Sequence, residues 1–303
     1  MRSTNVDIEL VLRSEFDPPS IRVFSEKWEC VLRLELFSVE DDFDFRFIYV
    51  SGVTIKIKIG GRIESSLEEF FTQCPPIIWF ADGSSLEGCE FTKLPSDELL
   101  PYDPERLEVV DWSGVDISSE SQGENKRAGT IQHKIIEMLQ QNPSYSIIFD
   151  DDGTGEAADV VAISVVDKDQ RRSVEVELYH LKYTSSQPGG RVDDLYVVCG
   201  QAQRSTCWLV NYGRRIELFT HLLRRNELRT AKGRGSRFER GDIETLLQIR
   251  ETSRRTEVRF KVFVVQPGLS KTAASASQLT LLAVTERYLS DTYEIPFSVM
   301  CSA

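Results

Sequence analysis

The chain has 303 residues, of which 41% are hydrophobic and 28% are charged, a composition typical of globular proteins. This length predicts two domains or one large one, with a core that needs neither disulfide bonds nor a metal in order to fold. No apolar run reaches the roughly 20 residues of a membrane span, and the N-terminal residues lack the apolar stretch of a signal peptide. These features favour a cytoplasmic protein with no membrane partner.

The formal net charge of −12 is distributed unevenly along the chain. Residues 1–160 carry a net charge of −18, residues 161–303 carry +6, and residues 201–240 alone carry +7. An acidic protein is a poor general binder of nucleic acid, but a locally basic region still attracts phosphate, because attraction acts within about 10 Å. The basic stretch therefore indicates either a nucleic-acid contact or a solvated helix face.

Cysteine and histidine residues give no sign of a zinc site. The six cysteines form no CxxC pair, and the three histidines are widely separated in the sequence. The spacing favours buried, reduced thiols.

Residues 1–120 are predicted to form a β-rich accessory domain. Alternating or β-branched runs predict strands at 28–36, 43–50, 53–59 and 77–80, with a short helix at 67–73 and a turn at 81–83. The polar segment 118–125 is predicted to be a linker.

Residues 124–303 show a different pattern, in which helical and strand-like segments alternate. Helices are predicted at 130–141, 192–204, 216–228 and 276–288, and strands at 145–149, 160–166, 174–183, 258–265 and 297–301. This order predicts an α/β domain built on a mixed sheet.

Polar residues end two neighbouring strands of this domain. Asp159 shares a strand face with Val161 and Ile163, while His180 and Lys182 extend an apolar face of the next strand, because side chains alternate along a strand. Pairing of the two strands is expected to bring Asp159 beside His180 and Lys182. A carboxylate, an imidazole and an ammonium group together predict a site for metal and phosphate. The alternative is a strand that runs out of the core into water.

A helix, a strand hairpin, an aspartate near the second strand and an x-x-Lys motif on the third resemble the PD-(D/E)xK nuclease superfamily. Asp159 would be the aspartate, and His180-Leu181-Lys182, 21 residues later, would be the third-strand motif, with histidine at the usual acidic position. The resemblance implies a restriction-endonuclease-like mixed-sheet core.

Several longer segments resemble the C-terminal regions of bacterial DEAD/DEAH-box helicases that are linked to antiphage defence. These segments are PPIIWFADG (75–83), LYHLKY (178–183), GRVDDLY (190–196), CGQAQ (199–203) and QPGLS (266–270). The chain contains no GxxxxGK[ST] phosphate-binding loop, so it carries no helicase motor of its own.

The two resemblances imply metal-dependent hydrolysis of DNA phosphodiester bonds in antiphage defence, beside a helicase or ATPase partner, with RNA as the alternative nucleic acid. They imply a Mg²⁺ or Mn²⁺ ion bound by Asp159, His180 and the carbonyl of Leu181, with Lys182 acting on the water or the phosphate. Further implied site residues are Glu156, for a metal-bound water or second ion, and Gln201 and Gln203, for phosphate or water. Nucleic-acid contacts are predicted at Arg224, Arg225, Lys232 and Arg234.

His180 is the departure from the superfamily pattern. Mg²⁺ prefers oxygen ligands, whereas imidazole suits Mn²⁺ and later metals. The histidine would hold a metal, orient a water or mark an inactive site, and His180→Glu is expected to support Mg²⁺-dependent activity. The alternative function is a non-catalytic module that keeps the fold and binds nucleic acid or a protein partner.

Overall fold

The structure, a computed structural model, describes residues 7–11, 18–25, 28–39, 42–59, 63–79, 84–93, 100–168, 171–185, 187–208 and 212–303. The chain divides into two compact units, Met1–Pro95 and Ser96–Ala303. This boundary lies before residues 120–124, where the polar composition of the sequence predicts it.

The first unit contains mostly strands among its described residues. They are β1 (Asp7–Val11), β2 (Ser20–Ser25), β3 (Trp28–Val39), β4 (Asp42–Gly52), β5 (Lys56–Ile59), β6 (Ile63–Ser66), β7 (Ile77–Trp79), β8 (Ser85–Glu87) and β9 (Glu90–Thr92), with one helix, α1 (Leu67–Gln73). Strands β1 to β4 form an antiparallel sheet in chain order. Residues 80–83, which include the predicted turn, lie outside the described residues.

The core of the first unit joins this sheet to α1. Phe47 of β4 packs edge-to-face on Phe71 of α1, with ring centroids 5.5 Å apart. Ser66 begins the helix as a capping box, because its hydroxyl accepts the Glu69 amide while the Glu69 carboxylate accepts the Ser66 amide. No cluster of potential metal ligands occurs among the described residues of this unit.

The second unit alternates helices and strands. Its strands are β10 (Glu108–Val109), β11 (Tyr145–Asp150), β12 (Val160–Lys168), β13 (Arg171–Leu181), β14 (Phe238–Arg240), β15 (Glu257–Ser270) and β16 (Phe297–Ser302). Its helices are α2 (Ile131–Gln140), α3 (Asp193–Arg204), α4 (Tyr212–Thr230), α5 (Ile243–Ser253) and α6 (Ala276–Tyr293).

Seven strands of this unit form one sheet in the order β10-β16-β15-β13-β12-β11-β14. Strands β10, β16, β15 and β13 pair in parallel, and β13, β12, β11 and β14 pair antiparallel. The prediction of an α/β fold with a mixed sheet is confirmed. The short strands β10 and β14 were not predicted, because two or three residues carry too little pattern, and helix α5 was not predicted either.

Helix α2 covers one face of the sheet, while α3 packs on β13 and β15. Ile131, Ile135 and Leu139 of α2 pack with Val160 of β12 and Leu181 of β13 in one buried cluster. Because side chains alternate along a strand, Val161 of β12 and Val176 of β13 lie on the opposite face of the sheet. Among the described residues, no helix is long and apolar enough to cross a membrane.

Segment 118–125 lies within the second unit and does not act as a linker. Gln122 is only 2% exposed, and its amide nitrogen donates to Glu239 at 2.8 Å. The Gln122 backbone amide donates to the side chain of Gln132 at 2.9 Å. The polar composition of this segment thus reflects buried hydrogen bonds, which a linker prediction based on low apolar content does not anticipate.

Candidate metal centre

The candidate site lies where β12 begins and β13 ends. Val160 pairs with Tyr179 in the antiparallel register, which places Asp159 opposite His180. Residues that pair directly on neighbouring strands have side chains on the same face of the sheet. Lys182 follows on from β13, and its amide donates to the carbonyl of Val265 at 3.1 Å, so the parallel pairing with β15 continues past the strand end.

Three carboxylates cluster at this edge of the sheet. Ligand atoms of Asp152, Glu156 and Asp159 all lie within 4.8 Å of one another. Asp159 is 3% exposed, and the other two side chains are half-buried. Asp152 and Glu156 come from the loop that joins β11 to β12, and Asp159 ends that loop.

Each carboxylate is held by a hydrogen bond. Oδ2 of Asp159 accepts the Leu181 amide at 2.8 Å, and Oε2 of Glu156 accepts the Gly153 amide at 2.8 Å. The Asp152 carboxylate accepts a hydrogen bond from the Ser121 hydroxyl. These bonds leave each residue a second carboxylate oxygen that can act as a metal ligand.

Two of the three carboxylates, Glu156 and Asp159, hold protons unusually tightly. Burial, together with the nearby charges of Asp152 and Asp151, raises the pKa of Glu156 to about 7. Burial, followed by the charge of Glu156, raises the pKa of Asp159 well above its usual value. Crowded carboxylates favour any species that adds positive charge, so a divalent cation would compete with protons for this position.

A fourth carboxylate, Glu120, reaches the site from the segment before α2. Its Oε2 lies 3.1 Å from Nζ of Lys182 and accepts the Tyr183 amide at 3.0 Å. The charge of Glu120 also contributes to the raised pKa of Asp159. Sequence reasoning missed Glu120, because it lies in a segment without helical or strand periodicity.

Lys182 is placed as a partly buried cation. Its side chain is 19% exposed, and Nζ lies 4.6 Å from the centre of the Tyr183 ring in addition to its pairing with Glu120. Burial of an unpaired ammonium group would be costly, and the ion pair with Glu120 offsets this cost.

His180 does not join the carboxylate cluster among the described residues. Its side chain is 2% exposed, and neither ring nitrogen has a hydrogen-bond partner. Burial, together with the positive charge of Arg204, lowers the pKa of His180 to about 3. The imidazole is therefore neutral at pH 7, which is the form in which histidine binds metals, and the metal role of His180 stays a prediction.

The other predicted site residues have varied environments. The Leu181 amide binds Asp159, and its side chain lies in the core below α2. On α3, Gln201 and Gln203 are half-buried, and Oε1 of Gln201 is buried without a hydrogen-bond partner. The metal role of the Leu181 carbonyl and the phosphate role of the two glutamines stay predictions.

The four basic residues predicted to contact nucleic acid fall into two groups. Arg224 and Lys232 are exposed, and Arg234, also exposed, pairs with Glu124 at 2.7 Å. Arg225 differs, because its side chain is 11% exposed and is directed at the loop that carries Asp152. The structure thus places Arg225 inside the unit and the other three on its surface.

Comparison with known proteins adds no assignment. Neither a protein-family model, nor a curated protein, nor a solved structure matches the chain. The functional conclusion therefore rests on the chemistry of the site.

Proposed function

We propose that the second unit is a metal-dependent nuclease with a restriction-endonuclease-like core, acting on DNA. The observation that carries the proposal is the meeting of Asp152, Glu156 and Asp159 within 4.8 Å, on the sheet edge where Lys182 pairs with Glu120. Carboxylate oxygens are the ligands that Mg²⁺ and Mn²⁺ prefer, so the donor set fits the cation. The chain order of α2, β11, β12, β13 and α3 supports the proposed core.

The three clustered carboxylates would hold the ion, and a bound divalent ion neutralises phosphate charge and activates water for hydrolysis. Lys182 then donates to a non-bridging phosphate oxygen and stabilises the negative charge that develops there. Glu120 holds the Lys182 ammonium in place. His180 occupies the position where the superfamily pattern has an acidic residue, and Glu120 supplies a carboxylate beside Lys182 from another segment.

Exposed Arg224, Lys232 and Arg234 supply positive charge for the nucleic-acid backbone. The resemblance to helicase-linked regions supports a helicase or ATPase as the protein partner in antiphage defence. DNA is the proposed substrate, and RNA cleavage would be the alternative outcome of the same assay.

The test is cleavage of plasmid DNA, single-stranded DNA and RNA with Mg²⁺ or Mn²⁺, in the presence and absence of EDTA. Lys182→Met should reduce the cleavage rate at least about 100-fold, the scale at which loss of one transition-state donor acts. Lys261→Met is the matched control, since Lys261 contacts the Phe263 ring and lies opposite Glu177, on the α2 side of the sheet. Equal cleavage by the Lys182→Met protein and its parent would contradict the proposal.

A second candidate function is a module that keeps the fold and binds nucleic acid without cutting it. The buried, unpartnered His180 favours this alternative, because it stands where the superfamily pattern has an acid. Salt-dependent DNA binding without metal-dependent cleavage would support the module and exclude the nuclease.

A further inference from the structure

Helix α4 presents one basic face to the loop that carries the carboxylates. His221, Arg225 and Arg229 are four residues apart, a spacing that places all three on one side of a helix. Nη1 of Arg229 donates to the Asp150 carboxylate at 3.0 Å, and Nε2 of His221 lies 4.0 Å from the Asp151 carboxylate. The middle residue, Arg225, forms an ion pair with Asp151.

Arg225 also binds the backbone of four consecutive residues. Its Nη2 donates to the carbonyls of Asp151 at 2.5 Å, Asp152 at 3.2 Å and Gly153 at 3.2 Å, and its Nη1 donates to the carbonyl of Thr154 at 2.7 Å. Four carbonyl dipoles thus converge on one guanidinium group. Without this cation, their negative ends would repel one another and the turn would open.

The turn that Arg225 holds determines where two of the clustered carboxylates lie. Asp152 is within it, and Glu156 follows directly, with its amide donating to the Gly153 carbonyl at 3.0 Å and its carboxylate accepting the Gly153 amide. Gly153 adopts a φ of 109°, which strongly favours glycine. The Asp151 carboxylate closes the loop by accepting the Ala157 amide at 2.7 Å.

We propose that Arg225 is the positioning residue of the metal centre, setting cation affinity by holding the Asp151–Thr154 backbone in the shape that brings Asp152 and Glu156 to Asp159. The proposal rests on the proposed function for the identity of the ion. Arginine suits this role because its planar group offers five donors in a fixed arrangement, whereas a lysine ammonium is a compact point charge with three.

The test is titration of the purified full-length chain with Mn²⁺ alone, measured by calorimetry and by electron paramagnetic resonance of free Mn²⁺. Arg225→Met should weaken Mn²⁺ binding by about 10–100-fold, the range found when an outer-shell partner of a metal ligand is removed. Arg225→Lys should also weaken it by about tenfold or more, since charge alone does not restore the carbonyl contacts. Circular dichroism and thermal unfolding establish that each variant is folded.

Arg250→Met is the matched control, because Arg250 of α5 is also partly buried, at 24% exposure, and its carboxylate partner is Glu251. This control should bind Mn²⁺ like the parent. Parental affinity in folded Arg225→Met would overturn the inference while leaving the proposed function intact. If neither Arg225 variant folds even in saturating Mn²⁺, Arg225 is a core residue that does not tune the metal, and the inference fails.

The parent protein separates the two proposals. A parent that binds no Mn²⁺ contradicts the proposed function and, with it, this inference. A parent that binds Mn²⁺ but cleaves no nucleic acid contradicts the nuclease alone, and the loss of affinity in Arg225→Met would still support the positioning role.

Discussion

Asp159 and His180 stand opposite each other where β12 begins and β13 ends, and both are almost fully buried. Asp159 accepts a backbone amide and joins two further carboxylates. His180 has no hydrogen-bond partner for either ring nitrogen. Strand register brings two polar residues side by side, but the loop and segment 118–125 surround only Asp159 with further carboxylates.

The comparison also explains why His180 remains neutral. The positive charge of Arg204 opposes protonation of the ring, in the same direction as burial. Asp159, by contrast, lies among carboxylates whose shared charge a cation would relieve. A metal at this edge therefore improves the environment of Asp159.

The largest expected effect comes from His180→Glu. The superfamily pattern alone predicts gain of Mg²⁺-dependent activity, but the enclosed position reverses this expectation, because the new carboxylate would be buried without a partner. We expect a loss of about 3–5 kcal/mol in the free energy of unfolding, measured by urea denaturation. His180→Leu is the control and should be at least as stable as the parent, since two unsatisfied nitrogens disappear. A stable, more active His180→Glu protein would contradict the buried environment.

Asp159→Asn should have the next largest effect. It removes the charge that anchors the cation while keeping the shape of the side chain. Mn²⁺ affinity should therefore fall by about 100-fold or more, because removal of a residue that only supports a metal ligand already costs about 10–100-fold. Asp167→Asn, on the exposed part of β12 where Asp167 pairs with Arg172, should leave Mn²⁺ affinity unchanged. Calorimetry distinguishes the two, and similar losses in both would place the metal elsewhere.

Glu156→Gln should change how stability depends on pH. The pKa of Glu156 is raised from 4.5 to about 7 in the folded chain, so the folded state holds this proton more tightly than the unfolded state does. The contribution of Glu156 to stability is thus greatest at low pH and falls as pH rises from about 4.5 to about 7. Glutamine does not titrate, so the variant should gain on the parent by about 1.4 kcal/mol for each pH unit of this window, and each kcal/mol is worth about 2–4 °C in Tm.

Melting curves of metal-free parent and Glu156→Gln protein between about pH 5 and about pH 8 measure this difference. His180 and His221 titrate in both proteins, so their contributions cancel in the comparison. A difference in Tm that stays constant with pH would show that Glu156 is an ordinary, solvated acid. With Mn²⁺ present, the loss of parental stability should be offset, because binding releases the remaining protons.

The smallest expected effect concerns the surface of the basic stretch. Arg224→Ala and Lys232→Ala should each reduce the slope of log affinity against log salt by about one unit, if each side chain contacts one phosphate. Fluorescence anisotropy with labelled DNA over a range of salt concentrations measures the slope. Unchanged slopes would indicate that Arg224 and Lys232 are solvated and do not contact DNA. The main role of α4 would then belong to its buried residues.

The sheet and one half of the site could be predicted from the sequence. Alternation in β12 and β13 predicts their pairing and the placement of Asp159 opposite His180, because register follows the apolar pattern. Glu120 could not be predicted, since it lies 39 residues before Asp159 and only the fold brings it to Lys182. Arg225 was predicted to contact nucleic acid from the basic composition of its segment; its four-residue spacing from His221 and Arg229 indicates a shared helix face, but only the fold shows that this face is directed at the loop.

The parallel pairing of β13 with β15 has a consequence for synthesis of the protein. Ser173 pairs with Glu257, and the backbone of Lys182 is held by Val265, so both contacts wait for more than 80 further residues. At about 5–20 residues per second, the ribosome needs several seconds to supply them. Until then the edge of β13 is exposed and Lys182 lacks its backbone anchor. A nascent chain should therefore remain without a completed centre until β15 has emerged.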